Sequence, residues 1–177
     1  MTQRDADALQ QACKFLWNSE IWRAAVNVQH RFEDGYEPSH MDSLRLDFRQ
    51  LLPKPAGRMR HRQIGSLWID VNTCGLRLER AGEIVAACED SSEKVLAQFK
   101  LLVGKTLVHI DVTPPGGDTD FVLDDSLSLR CFPASGRCGE SWRISSAEGD
   151  DLKLGPARGG SIRVVCAEAF SSPNPRS

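Results

Sequence analysis

The stretch from Leu101 to Ile144, LLVGKTLVHIDVTPPGGDTDFVLDDSLSLRCFPASGRCGESWRI, alternates apolar and polar residues between clusters of Pro, Gly and Asp. Side chains on a β-strand point to opposite faces in turn, so this alternation is the period of a half-buried strand rather than of a helix. Across Leu107 to Val112 it sets Val108, Ile110 and Val112 on one side and His109 and Asp111 on the other. Thr113-Pro114-Pro115-Gly116-Gly117 then stops the ladder, because proline lacks the donor and glycine permits the turn. Phe121–Leu123 and Leu127–Phe132 follow, joined by Asp124-Asp125-Ser126, a polar link of hairpin length. The stretch reads as an antiparallel β-meander.

Working outward, the same period recurs upstream. Ser66–Val71, Leu76–Glu79 and Ile84–Cys88 read as short strands, with turns at Asn72–Gly75 and Ala81–Glu83. Trp22, Ala24, Val26, Val28, His30 and Phe32 share one parity, which favours a long strand, and Leu44–Arg49 returns beside it after a polar loop. Two segments carry the helical period instead. Leu9, Ala12, Cys13 and Leu16 form one apolar stripe within Asp5–Trp17, and Val95, Leu96, Phe99 and Leu102 form another in a helix starting near Ser92, capped by Asp90 or Ser91 and stopped by Gly104. Beyond Trp142–Ile144, turns at Glu148–Asp150 and Gly155-Pro156 lead to an expected last strand, Ser161–Cys166. The expected fold class is therefore α+β, mainly antiparallel β-meanders with an N-terminal helix and one mid-chain helix.

A chain of 177 residues can bury a substantial core. The expectation is a single compact domain over residues 1–170, with two β-subunits at 1–90 and 101–170 as the alternative and a disordered tail at 171–177. Pro53-Lys54-Pro55-Ala56-Gly57 is the one candidate boundary, short for a domain linker. The 22 basic and 24 acidic residues nearly cancel, so no whole-molecule field points to nucleic acid or an anionic membrane. No apolar run approaches the ~20 residues of a membrane helix, and MTQRDADALQQACK lacks the apolar centre of a signal peptide, which makes a cytoplasmic protein the expectation.

Chemistry is less legible. Asp111, Asp118, Asp120, Asp124, Asp125 and Glu140 form the densest acidic group, and a metal site or general acid/base catalysis would need them to converge. Turn chemistry is the plainer explanation for Asp at hairpin ends. Arg58-Met59-Arg60-His61-Arg62 is the one basic cluster, and the histidines at 30, 40, 61 and 109 form no metal-ligand pair. None of the six cysteines makes a C-x-x-C pair, so they read as reduced and mostly structural. Gly104-Lys105-Thr106 ends like a phosphate loop, but Phe99 stands where the first glycine belongs. No nucleophile elbow is present. We therefore expect no catalytic residue, metal or cofactor. Trp142, next to Glu140 at the end of the loop Pro133–Gly139, reads as an aromatic anchor at the rim of an acidic surface.

Leu102-Val103-Gly104-Lys105-Thr106, the hairpin Asp124–Leu129 and Glu140-Ser141-Trp142 together resemble a group of small bacterial β-rich proteins. Their pattern is a Leu-x-Gly-Lys start, a hairpin around Asp-Gly, and then Glu-Ser-Trp. Ser126 stands here where that glycine would lie. The match spans residues 101–156, and proteins of this kind are similar to cognate immunity proteins of contact-dependent toxin systems. The resemblance implies a cytoplasmic binding protein that occludes a toxin, without catalytic residues to carry over. The residues expected to meet that protein partner are Asp118, Asp120, Asp124, Asp125, Glu140 and Trp142. A small hydrolase or nucleotide-processing enzyme using the acidic cluster, and a structural subunit of a larger bacterial assembly, are the alternatives.

Overall fold

Local chemistry sets both helix starts. A computed structural model describes residues 2–29, 40–48, 67–72, 75–132, 142–146 and 151–154. Helix α1, Gln3–Ala12, opens with a capping box in which the Thr2 hydroxyl accepts from the Asp5 N–H and the Asp5 carboxylate accepts from the Thr2 N–H. A 3-10 turn, Lys14–Leu16, continues it and brings Leu16 into the core. Helix α2, Ser92–Phe99, is capped by Ser91, whose hydroxyl accepts from the Lys94 N–H, and a second 3-10 turn, Lys100–Leu102, ends it.

Among the described residues, ten strands accompany these helices: β1 Ser19–Gln29, β2 His40–Phe48, β3 Leu67–Asn72, β4 Gly75–Arg80, β5 Glu83–Ala87, β6 Thr106–Thr113, β7 Asp118–Leu123, β8 Leu127–Phe132, β9 Trp142–Ser146 and β10 Asp151–Leu154. Their hydrogen-bonded order is β10-β9-β3-β2-β1-β6-β7-β8-β4-β5, with every pair antiparallel. The fold is α+β, mainly β, as the alternation implies. The pairings β1–β6, β3–β9 and β4–β8 each join a strand from residues 1–90 to one from 101–170, so the described strands form one hydrogen-bonded order.

That order is not laid out flat. The hinge is β1, which meets β6 through only two pairs, Ser19↔Leu107 and Glu20↔Thr106, and then follows β2 alone. Five steps of about 4.8 Å would separate β9 from β7 in an open sheet, about 24 Å in all. Yet the Trp142 ring of β9 stands edge-on to Phe121 of β7 at 5.4 Å between centroids, and its indole N–H donates to the Thr119 hydroxyl at 3.0 Å. The sheet therefore folds back at β1 so that its two halves face each other. Leu46, Ile69 and Ile144 line one inner face in register, and Ile110, Phe121, Leu129 and Leu78 line the other; all are buried. Where β6 leaves β1, α1 packs against it and adds Ala6 and Leu9 to the core. On the far side α2, about 12 Å long at eight residues, contacts β5 as well as β1 and β2.

Two details depart from the simple alternation. Leu107 pairs with Leu123 and His109 with Val122, so Val108 is the extra residue of a bulge. It is 42% exposed, and Leu107 takes its place beside Ile110 and Val112 in the core. Strand β10 occupies a segment that reads as linker between turns. The expected last strand 161–166, the boundary at 53–57, the basic cluster at 58–62 and the tail lie outside the described residues.

Candidate functional site

Because one side of each strand is committed to the core, the opposite side of β6, β7, β8 and β4 is a second, outward sheet face. Cross-strand register fixes its contents. One row reads Asp111, Asp120, Arg130, Arg77, and the next reads His109, Val122, Ser128, Glu79. Arg130 forks onto Asp120, with Nε at 2.8 Å from Oδ1 and Nη2 at 3.0 Å from Oδ2, and its Nη1 lies 3.6 Å from Glu79. The bidentate bond and the Asp120 charge hold the guanidinium pKa above its ordinary value. Asp111 accepts from Gln10 of α1 at 3.1 Å and lies 2.9 Å from His109 Nε2. Arg77 stacks on Phe132 at 5.0 Å. These side chains are held, but they reach solvent: Asp111 is 53% exposed and Arg130 44%.

The residues expected to form one surface separate into three places. Asp118 and Asp120 share the outward face of β7, two residues apart, with Asp111 across from Asp120. Asp124 and Asp125 sit at the other end of that strand, in the β7–β8 turn. Asp125 and Ser126 take φ of 55° and 58°, both positive as a type I′ hairpin turn requires. Lys105 pairs with Asp125 and pulls its carboxyl pKa below the ordinary range. Trp142 is the correction: it is fully buried between the two sheet halves, so it anchors the core and offers nothing to a partner. Its parity with Ile144, also buried, carried that signal. Glu140 lies outside the described residues.

The chain matches no protein-family model, no curated protein and no solved structure. Among the described residues, no group of three or more His, Cys, Asp or Glu side chains is placed to hold a metal ion, and no helix is long and apolar enough to cross a membrane. Cys13 and Cys131 are buried in the core, and burial pushes the half-buried Cys88 thiol pKa up.

A second charged cluster, on the outward side of β2 and β3, is one that the reading of the sequence missed. Asp47 is fully buried there, with Arg45 Nε at 3.0 Å and Arg23 Nε at 3.8 Å. Arg45 also lies 4.3 Å over the Trp68 ring, whose indole N–H donates to Asp70; Arg143 of β9 donates to the same oxygen. The alternating Arg-Leu-Asp-Phe of Arg45–Phe48 was the available signal, since a polar residue between two core positions must point away from them. These groups tie β1, β2, β3 and β9 together across the face and read as a structural network.

Proposed function

We propose that the chain is a protein-binding module of immunity or inhibitor type, cytoplasmic, which holds a bacterial toxin against the outward face of β6, β7, β8 and β4. The supporting observation is the fixed charge row Asp111, Asp120, Arg130, Arg77 on an exposed sheet surface. Side chains already held by ion pairs lose less freedom on binding, and an ordered charge pattern steers encounter and sets register. The bulged Val108 and the half-buried Val122 add apolar contact on or beside the same strands. The resemblance over residues 101–156 points in the same direction.

Hydrolysis by the acidic group is the weaker reading. A general base needs a carboxylate within reach of substrate, whereas Asp120 takes both Arg130 bonds and Asp111 is engaged by Gln10 and His109. The test is co-expression with each protein encoded beside the chain. One neighbour should arrest growth alone, growth should recover when the chain is present, and the two should purify as a stoichiometric complex. If no neighbour is toxic, or none binds, the immunity reading is wrong.

A further inference from the structure

The outward row has an order that a mixed surface would not need. Reading across four adjacent strands it runs acid, acid, base, base: Asp111 on β6, Asp120 on β7, Arg130 on β8 and Arg77 on β4. Asp111 stands directly across from Asp120, and Arg130 directly across from Arg77. Like charges opposite one another on a sheet are destabilising; within the chain the inner pair is offset by the fork of Arg130 onto Asp120, which leaves the outer charges, Asp111 and Arg77, to be matched from outside.

One operation matches both. Turning a second copy through 180° about an axis that runs along the strands between β7 and β8 reverses the order, so that acid, acid, base, base meets base, base, acid, acid. Asp111 then lies over Arg77 of the second copy and Asp120 over its Arg130, each contact occurring twice by symmetry. In the neighbouring row Val122 comes over Ser128, while Glu79 is buried beside its own Arg130 and takes no part. A two-fold axis across the strands would instead put acid on acid. We infer that the outward face of β6, β7, β8 and β4 is an isologous dimer interface whose occupant is a second copy of this chain.

The area limits the strength. Four strands span about 15 Å and five residues about 17 Å, roughly 250 Å² on each copy and about 500 Å² in all, which is below the ~1,200 Å² of a standard specific interface and in the range of weak, transient contacts. The dimer is therefore weak, and salt weakens it further because its contacts are exposed charges. A toxin that uses the same face displaces the second copy, so complex and dimer exclude each other; the dimer itself does not depend on the toxin reading.

Sedimentation velocity on the full chain, from about 10 to about 500 µM to span the Kd of a weak dimer, tests this. A monomer–dimer equilibrium is expected at low salt, weakening at least about tenfold between about 50 and about 500 mM NaCl. Asp111→Arg faces Arg77 of the second copy and should abolish the dimer, while Asp111→Arg combined with Arg77→Asp restores the pairing with signs exchanged. Circular dichroism melting confirms that each variant is folded. A monomer throughout, a dimer insensitive to salt or to Asp111→Arg, or a double exchange that fails to restore association overturns the inference.

Discussion

Trp142 and Thr119 belong to strands five steps apart in the hydrogen-bonded order, and only a folded-over sheet lets them touch. A double-mutant cycle reads that contact as free energy. Trp142→Phe keeps an aromatic ring against Phe121 but removes the indole N–H and leaves a void. The lost hydrogen bond is worth about 1 kcal/mol and the void about 1 kcal/mol more, giving about 2 kcal/mol. Thr119→Val leaves the buried indole N–H without its acceptor and deprives the Gly117 carbonyl of its 3.0 Å donor. That cost is about 2 kcal/mol. In the double variant the donor and acceptor disappear together, so it should be about 1 kcal/mol more stable than the sum of the single losses implies. Urea unfolding followed by far-UV circular dichroism measures all four stabilities. Additivity within about 0.3 kcal/mol, the behaviour of residues too far apart to interact, would refute the facing of the two halves.

Other expectations follow from single sites. Ser126 holds φ 58° in the β7–β8 turn, so Ser126→Gly should remove a left-handed penalty of about 1–2 kcal/mol and return about 0.4–1 kcal/mol in unfolded-state entropy. A net gain of about 0.5–1 kcal/mol in urea is expected, and a loss would show that the hydroxyl is needed. Asp47→Ala strips Arg45 and Arg23 of their buried partner; because both guanidinium groups reach solvent, the cost should be about 2 kcal/mol rather than the 3–5 of a wholly buried pair. An unchanged unfolding midpoint would remove Asp47 from the network. Asp90 has its pKa lowered, first by the hydrogen bond from Lys94 and then by the Ala87 N–H. A depressed folded-state pKa contributes stability above the ordinary 3.8 that is lost as pH falls through the lower folded value. Thermal stability should therefore drop below that pH, and Asp90→Asn should make the drop shallower; an identical acid profile would count against it.

Most of the strands were readable because burial on one face leaves a two-residue period, as in Leu127–Phe132, where expected and observed bounds agree. The same rule misplaced Val108, since a bulge inserts one residue and shifts every later side chain relative to those before it. Strand β10 escaped notice because four residues between turn signals are too few to display a period. The capping box of α1, Thr2-x-x-Asp5, was not read, because Asp stands where Glu or Gln marks the motif and the expected helix began only at Asp5. Nor was the outward charge row, because Asp111, Asp120, Arg130 and Arg77 become neighbours only through the registers of three strand pairs. Proximity in sequence pointed instead to Trp142 beside Glu140, although the alternation Trp142, Ile144 already assigned that ring to the interior.

Recognition of another protein by the outward face of β6, β7, β8 and β4 is tested most directly by comparing what two tagged chains retain from a lysate of the native host. One is the natural chain; the other carries Asp118→Arg and Arg77→Glu, both at exposed positions of that face. With melting temperatures matched, the natural chain should hold one protein in stoichiometric amount, and the variant should lose it. A partner held equally by both, or none held by either, would contradict it.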